Sequence, residues 1–149
     1  MMQQVLKYAL LCIFCVSTLW NTTQAANSDT LTSTDGIQYM TGGVGHDEVL
    51  AMRTHAKNFS LNLLFSEGVA GQAVTDVNVN IYDENTKLVF RVTHAKPLLY
   101  VNLPTGTYTI LANYQGNKLR HKLSITEGKP NKVILNWKNE ELDARETSD

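Results

Sequence analysis

Leu98–Gly116, LLYVNLPTGTYTILANYQG, is the stretch from which the rest of the chain is read. It reads as a strand, a Pro-Gly corner and a second strand that closes in a tight turn. Pro104 holds φ at about −65° and offers no N–H to a ladder, so the strand ending at Leu103 stops there. Gly106 permits the positive φ that a tight reversal often needs. The chain then re-enters β with Tyr108, Ile110, Ala112 and Tyr114 on one face and Thr107, Thr109, Leu111 and Asn113 on the other. Alternation with period two over so many residues marks a strand. A tyrosine just after such a corner buries its ring and ties its hydroxyl to nearby backbone, which predicts a structural role for Tyr108.

Outward from this hairpin the same period recurs. Upstream, Phe59, Leu61, Leu63 and Phe65 share a face opposite Ser60, Asn62 and Ser66. Gly68–Thr75 reads as a loop. Val77, Val79 and Ile81 alternate with Asn78 and Asn80, Asp83–Thr86 supplies a turn, and Leu88–Thr93 is the next strand. Ala95–Pro97 turns into Leu98–Leu103. Downstream, Gln115-Gly116-Asn117 makes a hairpin turn. Leu119, Leu123 and Ile125 then alternate with Arg120, Lys122 and Ser124. Glu127–Pro130 turns again, and Val133, Leu135 and Trp137 form the last strand. About seven short strands with turns at these intervals predict a mainly-β antiparallel sandwich with Greek-key connections. Only His46–Asn58 breaks the pattern. There Val49, Met52, Ala56 and Phe59 fall along one stripe, which predicts one N-terminal amphipathic helix. Ahead of it, Tyr39–Gly45 (YMTGGVG) reads as a glycine-rich loop, and Asp47 and Glu48 complement the positive end of the helix dipole.

The N-terminus predicts an address. Residues 1–25 hold one early cation, Lys7, an apolar run from Tyr8 to Trp20, and small or polar residues up to Ala25. That is the layout of a secretory signal peptide, with cleavage after Ala25 and Ala26 as the second choice. The run is short for a bilayer-spanning helix, and neither Cys12 nor Cys15 follows the small residue a lipid anchor needs. Both cysteines leave with this segment. The mature chain of about 124 residues has no thiol chemistry and must hold one domain by its own core. Residues 26–38 read as a flexible leader, 39–137 as the domain and 138–149 as a charged tail. The formal net charge is −1 with both signs interspersed. No basic block points to nucleic acid or an anionic membrane as a partner, and a periplasmic or secreted location follows from the leader.

Chemistry-bearing residues are sparse. The run GGVGHDE enters a helix, where free N–H groups attract anions, but it lacks a P-loop Lys, and Asp47 and Glu48 place charge where an anion would sit. His46 and His55 lie about 13 Å apart along a helix, too far to share a metal. His94, His121 and Asp83 could assemble across strands, although their spacing does not require it. Ser60, Ser66 and Ser124 are the serine nucleophile candidates, and none sits in a G-x-S-x-G elbow. The acidic pairs Asp83-Glu84 and Glu140-Glu141 fall in a turn and in the tail. Asn58-Phe59-Ser60 matches a glycosylation sequon. Tyr39, Tyr82, Tyr100 and Trp137 either form an exposed aromatic patch or cover the helix–sheet junction, and the second is favoured. No catalytic, cofactor or metal residues are assigned.

LPTGTYTILANYQG resembles the L-P-x-G-x-Y-x-hydrophobic-x-A pattern of carboxypeptidase regulatory-like domains, which are transthyretin-like (prealbumin-type) seven-stranded sandwiches of Ig-like appearance. VTDVNVNIYDENTKLVF is similar to the preceding hairpin of that family, with Asn85-Thr86 where it usually has Gly. YMTGGVGHDE, the helix and FSLNLLFSE resemble the leader of small exported proteobacterial proteins that carry such a domain and have no established activity. The resemblance spans roughly Tyr39–Trp137 and rests on structural corners. Hydroxyisourate hydrolases share the fold but rely on a Tyr-Arg-Gly-Ser end, whereas this chain ends ARETSD. The expectation is therefore an exported, non-catalytic binding or assembly module with a protein partner, carbohydrate being a further candidate. The alternative is a small metal-binding protein or hydrolase.

Overall fold

The computed structural model describes residues 31–32 and 35–138. The signal-peptide reading of 1–25 and the tail 139–149 lie outside the described residues. Strands β1 (Leu31–Thr32), β2 (Gln38–Gly42), β7 (Leu98–Val101), β3 (Leu61–Glu67) and β10 (Asn131–Trp137) lie side by side in that order, and the short β4 (Gln72–Ala73) pairs with β3. The second sheet is ordered β6 (Leu88–Ala95), β5 (Val77–Asp83), β8 (Gly106–Tyr114) and β9 (Asn117–Ile125). We call them sheet A and sheet B. All pairings are antiparallel except β3 with β10, which run parallel from Asn131 opposite Leu61 to Trp137 opposite Glu67.

The two sheets are held face to face by the alternation that the sequence shows. Leu61, Leu63 and Phe65 of β3 meet Val79, Ile81 and Ile110 of sheet B in one buried cluster. Each such side chain removed from water contributes on the order of 1.5–3 kcal/mol. Tyr108 lies in this core, and its hydroxyl donates to the Pro104 carbonyl at 2.8 Å. Burial, and then the nearby Asp83 carboxylate, raises its pKa above the ordinary tyrosine value. The corner does its work through the proline and the tyrosine. Gly106 itself is not among the positive-φ residues and opens β8 in extended conformation, facing the Tyr108 ring.

Four sequence expectations are corrected. Among the described residues there are ten strand segments rather than seven: β3 and β5–β10 are the runs expected, and β1, β2 and β4 are additional. Tyr39–Gly42 belongs to β2 rather than to a loop, because its backbone pairs with β7 from Tyr39 opposite Val101 to Gly42 opposite Leu98. That pairing reaches into the stretch read as a leader, where Leu31 lies opposite Tyr39. The helix α1 spans His46–His55 and tightens into a 3-10 turn over Ala56–Asn58, three residues before the expected end. Its amphipathic character is weak, since Met52 is its one buried residue and Leu50 is exposed.

Among the described residues, Asp76, Thr86, His94 and Gln115 are the non-glycine positions with left-handed backbone. Thr86 has φ 62°, in the hairpin where the resembled family has glycine. Asp83 stabilises that turn by accepting the N–H groups of Asn85 and Lys87, each at 2.9 Å. Asp76 and His94 face each other at the other end of β5 with φ of 62° and 56°.

Candidate functional site

Strand alternation gives sheet A a second, outward face, and α1 covers only part of it. Met40 of β2, Tyr100 of β7, Met52 of α1 and Phe59 beyond it form a separate buried cluster. The helix approaches this closely because of Gly42 and Gly43. A β-carbon on Gly42 would stand 2.9 Å from Glu48 Oε1 and 3.1 Å from the Met52 sulfur, and Gly43 has φ 93° against Leu98. The glycine run therefore serves helix docking. The role of an anion at the helix start is taken by the chain itself: Glu48 Oε2 accepts the Val44 N–H at 2.8 Å, and Oε1 accepts from Lys96 Nζ at 3.0 Å. Partial burial disfavours the Glu48 carboxylate, but its bonds to Lys96 and Val44 outweigh this and hold its pKa below the ordinary value.

Beyond the helix the outward face is open. Registers place Leu98, Leu64 and Ile134 side by side across β7, β3 and β10, with Tyr100, Asn62 and Lys132 in the next row. Leu98 packs against the helix cluster, Leu64 is half-buried, and Ile134 is 57% exposed. Between α1 and these rows runs a groove of about 410 Å³ lined by Val49, Arg53, Leu64, Leu98, Tyr100 and Lys132, among others. Its charged lining is wholly cationic. Burial raises the Tyr100 pKa, and the positive charge of Arg53 offsets part of that rise. Asn62 ties the end of the helix to the sheet by donating Nδ2 to the Ala56 carbonyl at 3.0 Å, while its Oδ1 is buried without a partner.

The residues singled out from the sequence do not converge. His94 pairs with Asp76 at 3.3 Å in an exposed position, not with Asp83, which lies at the far end of β5. His121 sits opposite Ile110 on β9. Among the described residues no group of three or more His, Cys, Asp or Glu side chains is placed to hold a metal ion. Ser60 Oγ donates to the Leu103 carbonyl and accepts the Leu103 N–H, both at 2.8 Å, bracing the corner. Ser66 is buried and accepts from Asn136 Nδ2 at 3.0 Å, and the Ser124 hydroxyl meets that of Thr107 at 3.3 Å. Asn58 is exposed.

The four aromatics split up. Tyr39 packs on Phe90 between the sheets, with ring centroids 5.2 Å apart. Trp137 packs on Phe65 and Tyr114 and donates its indole N–H to the Asn117 carbonyl at 3.0 Å. Tyr100 alone covers the helix–sheet junction, and Tyr82 lies on the outer face of sheet B. The groove residue Leu64 and its exposed neighbour Ile134 escaped sequence reasoning. Their signal was present as apolar residues at outward positions of β3 and β10, but only the parallel register makes them neighbours.

No family model matches the chain, and no curated protein matches it. A solved chain titled "The Bacillus anthracis TIE protein" is similar at 20% identity and a TM-score of 0.37, covering 53% of this chain. The matched part is 16% of that protein's length, so the chain spans a small fraction of it. No helix among the described residues is long and apolar enough to cross a membrane.

Proposed function

We propose that this protein is an exported, non-catalytic binding module that receives a segment of a protein partner in the groove between α1 and the outward face of sheet A. The apolar row Leu98–Leu64–Ile134 carries this reading, because it starts beneath the helix and continues to the exposed Ile134 at the last strand of the sheet. A contiguous apolar surface rimmed by polar groups is where water is most readily displaced by a partner. Arg53 and Lys132 at its rim favour a segment that carries acidic groups beside apolar ones. The engagement of Ser60, Ser66 and Ser124 in structural hydrogen bonds supports a non-catalytic role.

The sandwich is of the carboxypeptidase regulatory-like, transthyretin-type kind in this proposal. Support comes from the seven strands β3 and β5–β10, which match the runs read from the sequence, and from the Pro104–Tyr108 corner. The signal-peptide layout of residues 1–25 supports a periplasmic or secreted location.

The test places a photoreactive benzoylphenylalanine at position 134 and, separately, at position 69, in the exported full chain. Val69 is 74% exposed but lies away from the groove, so it controls for accessibility. The expected result is one discrete crosslinked partner from position 134, absent from position 69, and lost in an Arg53→Glu/Lys132→Glu variant with unchanged melting. Equal labelling from both positions, or labelling indifferent to the charge reversal, removes the groove from consideration.

A further inference from the structure

The groove lies near the point where the described chain leaves sheet A. Lys132 and Ile134 stand on β10, which ends at Trp137 and is followed by Lys138 and then by residues 139–149, outside the described residues. Alternation keeps Lys132 and Ile134 on the outward face, opposite Asn62 and Leu64 of β3. Four residues separate Ile134 from Lys138, about 13 Å at strand spacing. Four more reach Leu142, and residues 139–149 span at most about 36–40 Å when extended. A chain that turns back after Lys138 therefore has the length to bring Leu142 to Ile134 and the residues after it to Lys132 and Arg53.

The composition of that segment matches the groove. NEELDARETSD carries Glu140, Glu141, Asp143, Glu146 and Asp149 against one cation, Arg145, and Leu142 is its one large apolar residue. The charged residues lining the groove are Arg53 and Lys132, both exposed, and among the described residues neither has an ion-pair partner. Of the acids on the flanking elements, Glu48 is held by Lys96 and the Val44 N–H, while Asp47 and Glu67 are outside the lining. We propose that residues 139–149 fold back within the same molecule and occupy the groove, with Leu142 on the apolar row and the carboxylates against Arg53 and Lys132. This rests on the groove being a binding site and adds its regulation: a partner enters only by displacing the tail. Covalent attachment is what selects this occupant over a free acidic peptide. At an effective concentration on the order of millimolar, a segment with an intrinsic Kd of about 0.1 mM fills the groove about nine-tenths of the time and weakens a competitor about tenfold.

The test irradiates the purified full chain carrying benzoylphenylalanine at position 134, with position 69 as the control, and maps the products by mass spectrometry. The expected product is a monomer in which position 134 is joined to the peptide holding residues 139–149, in a yield independent of protein concentration and absent from position 69. Arg53→Glu/Lys132→Glu and, separately, Glu140→Lys/Glu141→Lys/Leu142→Ser are each expected to cut that yield at least fivefold while the melting curve stays in place. A free peptide of residues 139–149 is expected to bind the second variant about tenfold more tightly than the native chain, because its groove is no longer filled from within. No internal product, a yield indifferent to both variants, or the same linkage only in a dimer-sized product overturns the proposal. Partner capture from position 134 without the internal product removes the tail and leaves the groove reading standing. The internal product without partner capture supports the tail and removes the partner.

Discussion

The two hydrophobic clusters of this protein lie on opposite faces of sheet A and are built on different scales. The sandwich core joins nineteen buried residues from both sheets, whereas the cluster beneath α1 holds four: Met40, Met52, Phe59 and Tyr100. In the first, nearly all the side chains come from strands of the two facing sheets, Val74 and Leu103 excepted. In the second, a ten-residue helix with one buried side chain rests on a sheet that is already complete without it. A helix held by so little buried surface opens at lower free energy than the sheets beneath it. The difference separates what makes the fold from what shapes the groove.

The largest break in that comparison comes from the core. Phe90→Ala removes a fully buried ring that also packs on Tyr39. It is expected to lower global stability by about 4 kcal/mol, read from the urea midpoint with the slope unchanged. A smaller and more local effect is expected from Met52→Ala, about 2–3 kcal/mol confined to helix docking. Amide exchange in residues 46–58 should accelerate while protection in β5 and β8 persists. Equal loss of protection in both sheets would show that helix and sandwich open as one unit.

The smallest effect is electrostatic. Because the folded Glu48 carboxylate titrates below its ordinary value of 4.5, its contribution is fully present above that pH. It is lost as pH falls through the lower folded value. The Lys96 partner is about half exposed, so solvent screening limits the contribution to about 0.5 kcal/mol. Protection factors in α1, taken relative to intrinsic exchange at each pH, should fall on acidification from pH 6 to pH 3 in the native protein, with a weaker response in Lys96→Met. An identical response in that variant would assign the acid sensitivity elsewhere.

How legible each region was in the sequence follows the same division. The core strands announce themselves because alternation is local, and the Tyr108 hydrogen bond to Pro104 spans only four residues. Strand β2 was hidden because Thr41, Gly42 and the glycines that follow at 43 and 45 signal a loop. It extends only because β7, far along the chain, offers it a ladder. The helix was overextended because Phe59 belongs to the same buried cluster but reaches it through a 3-10 turn. The side-by-side placing of outward residues on either sheet was not readable. Leu64 and Ile134 become neighbours through a parallel register, and Arg91 joins the cations of β9 through two intervening strands. Charges that look dispersed along a sequence are gathered when alternation sends every second residue to one side.

The parallel pairing of β3 with β10 has a consequence for how the chain reaches this state. Strand β3 finds this neighbour about seventy residues later, as the bond from Asn136 to Ser66 records. Closing so long a loop must precede the reward, which places folding among the slower, non-local topologies on the order of milliseconds to seconds. Until Asn131–Trp137 has been synthesised, β3 presents a bare edge able to pair with other chains. Nascent chains that stop short of β10 therefore expose the edge most open to aggregation.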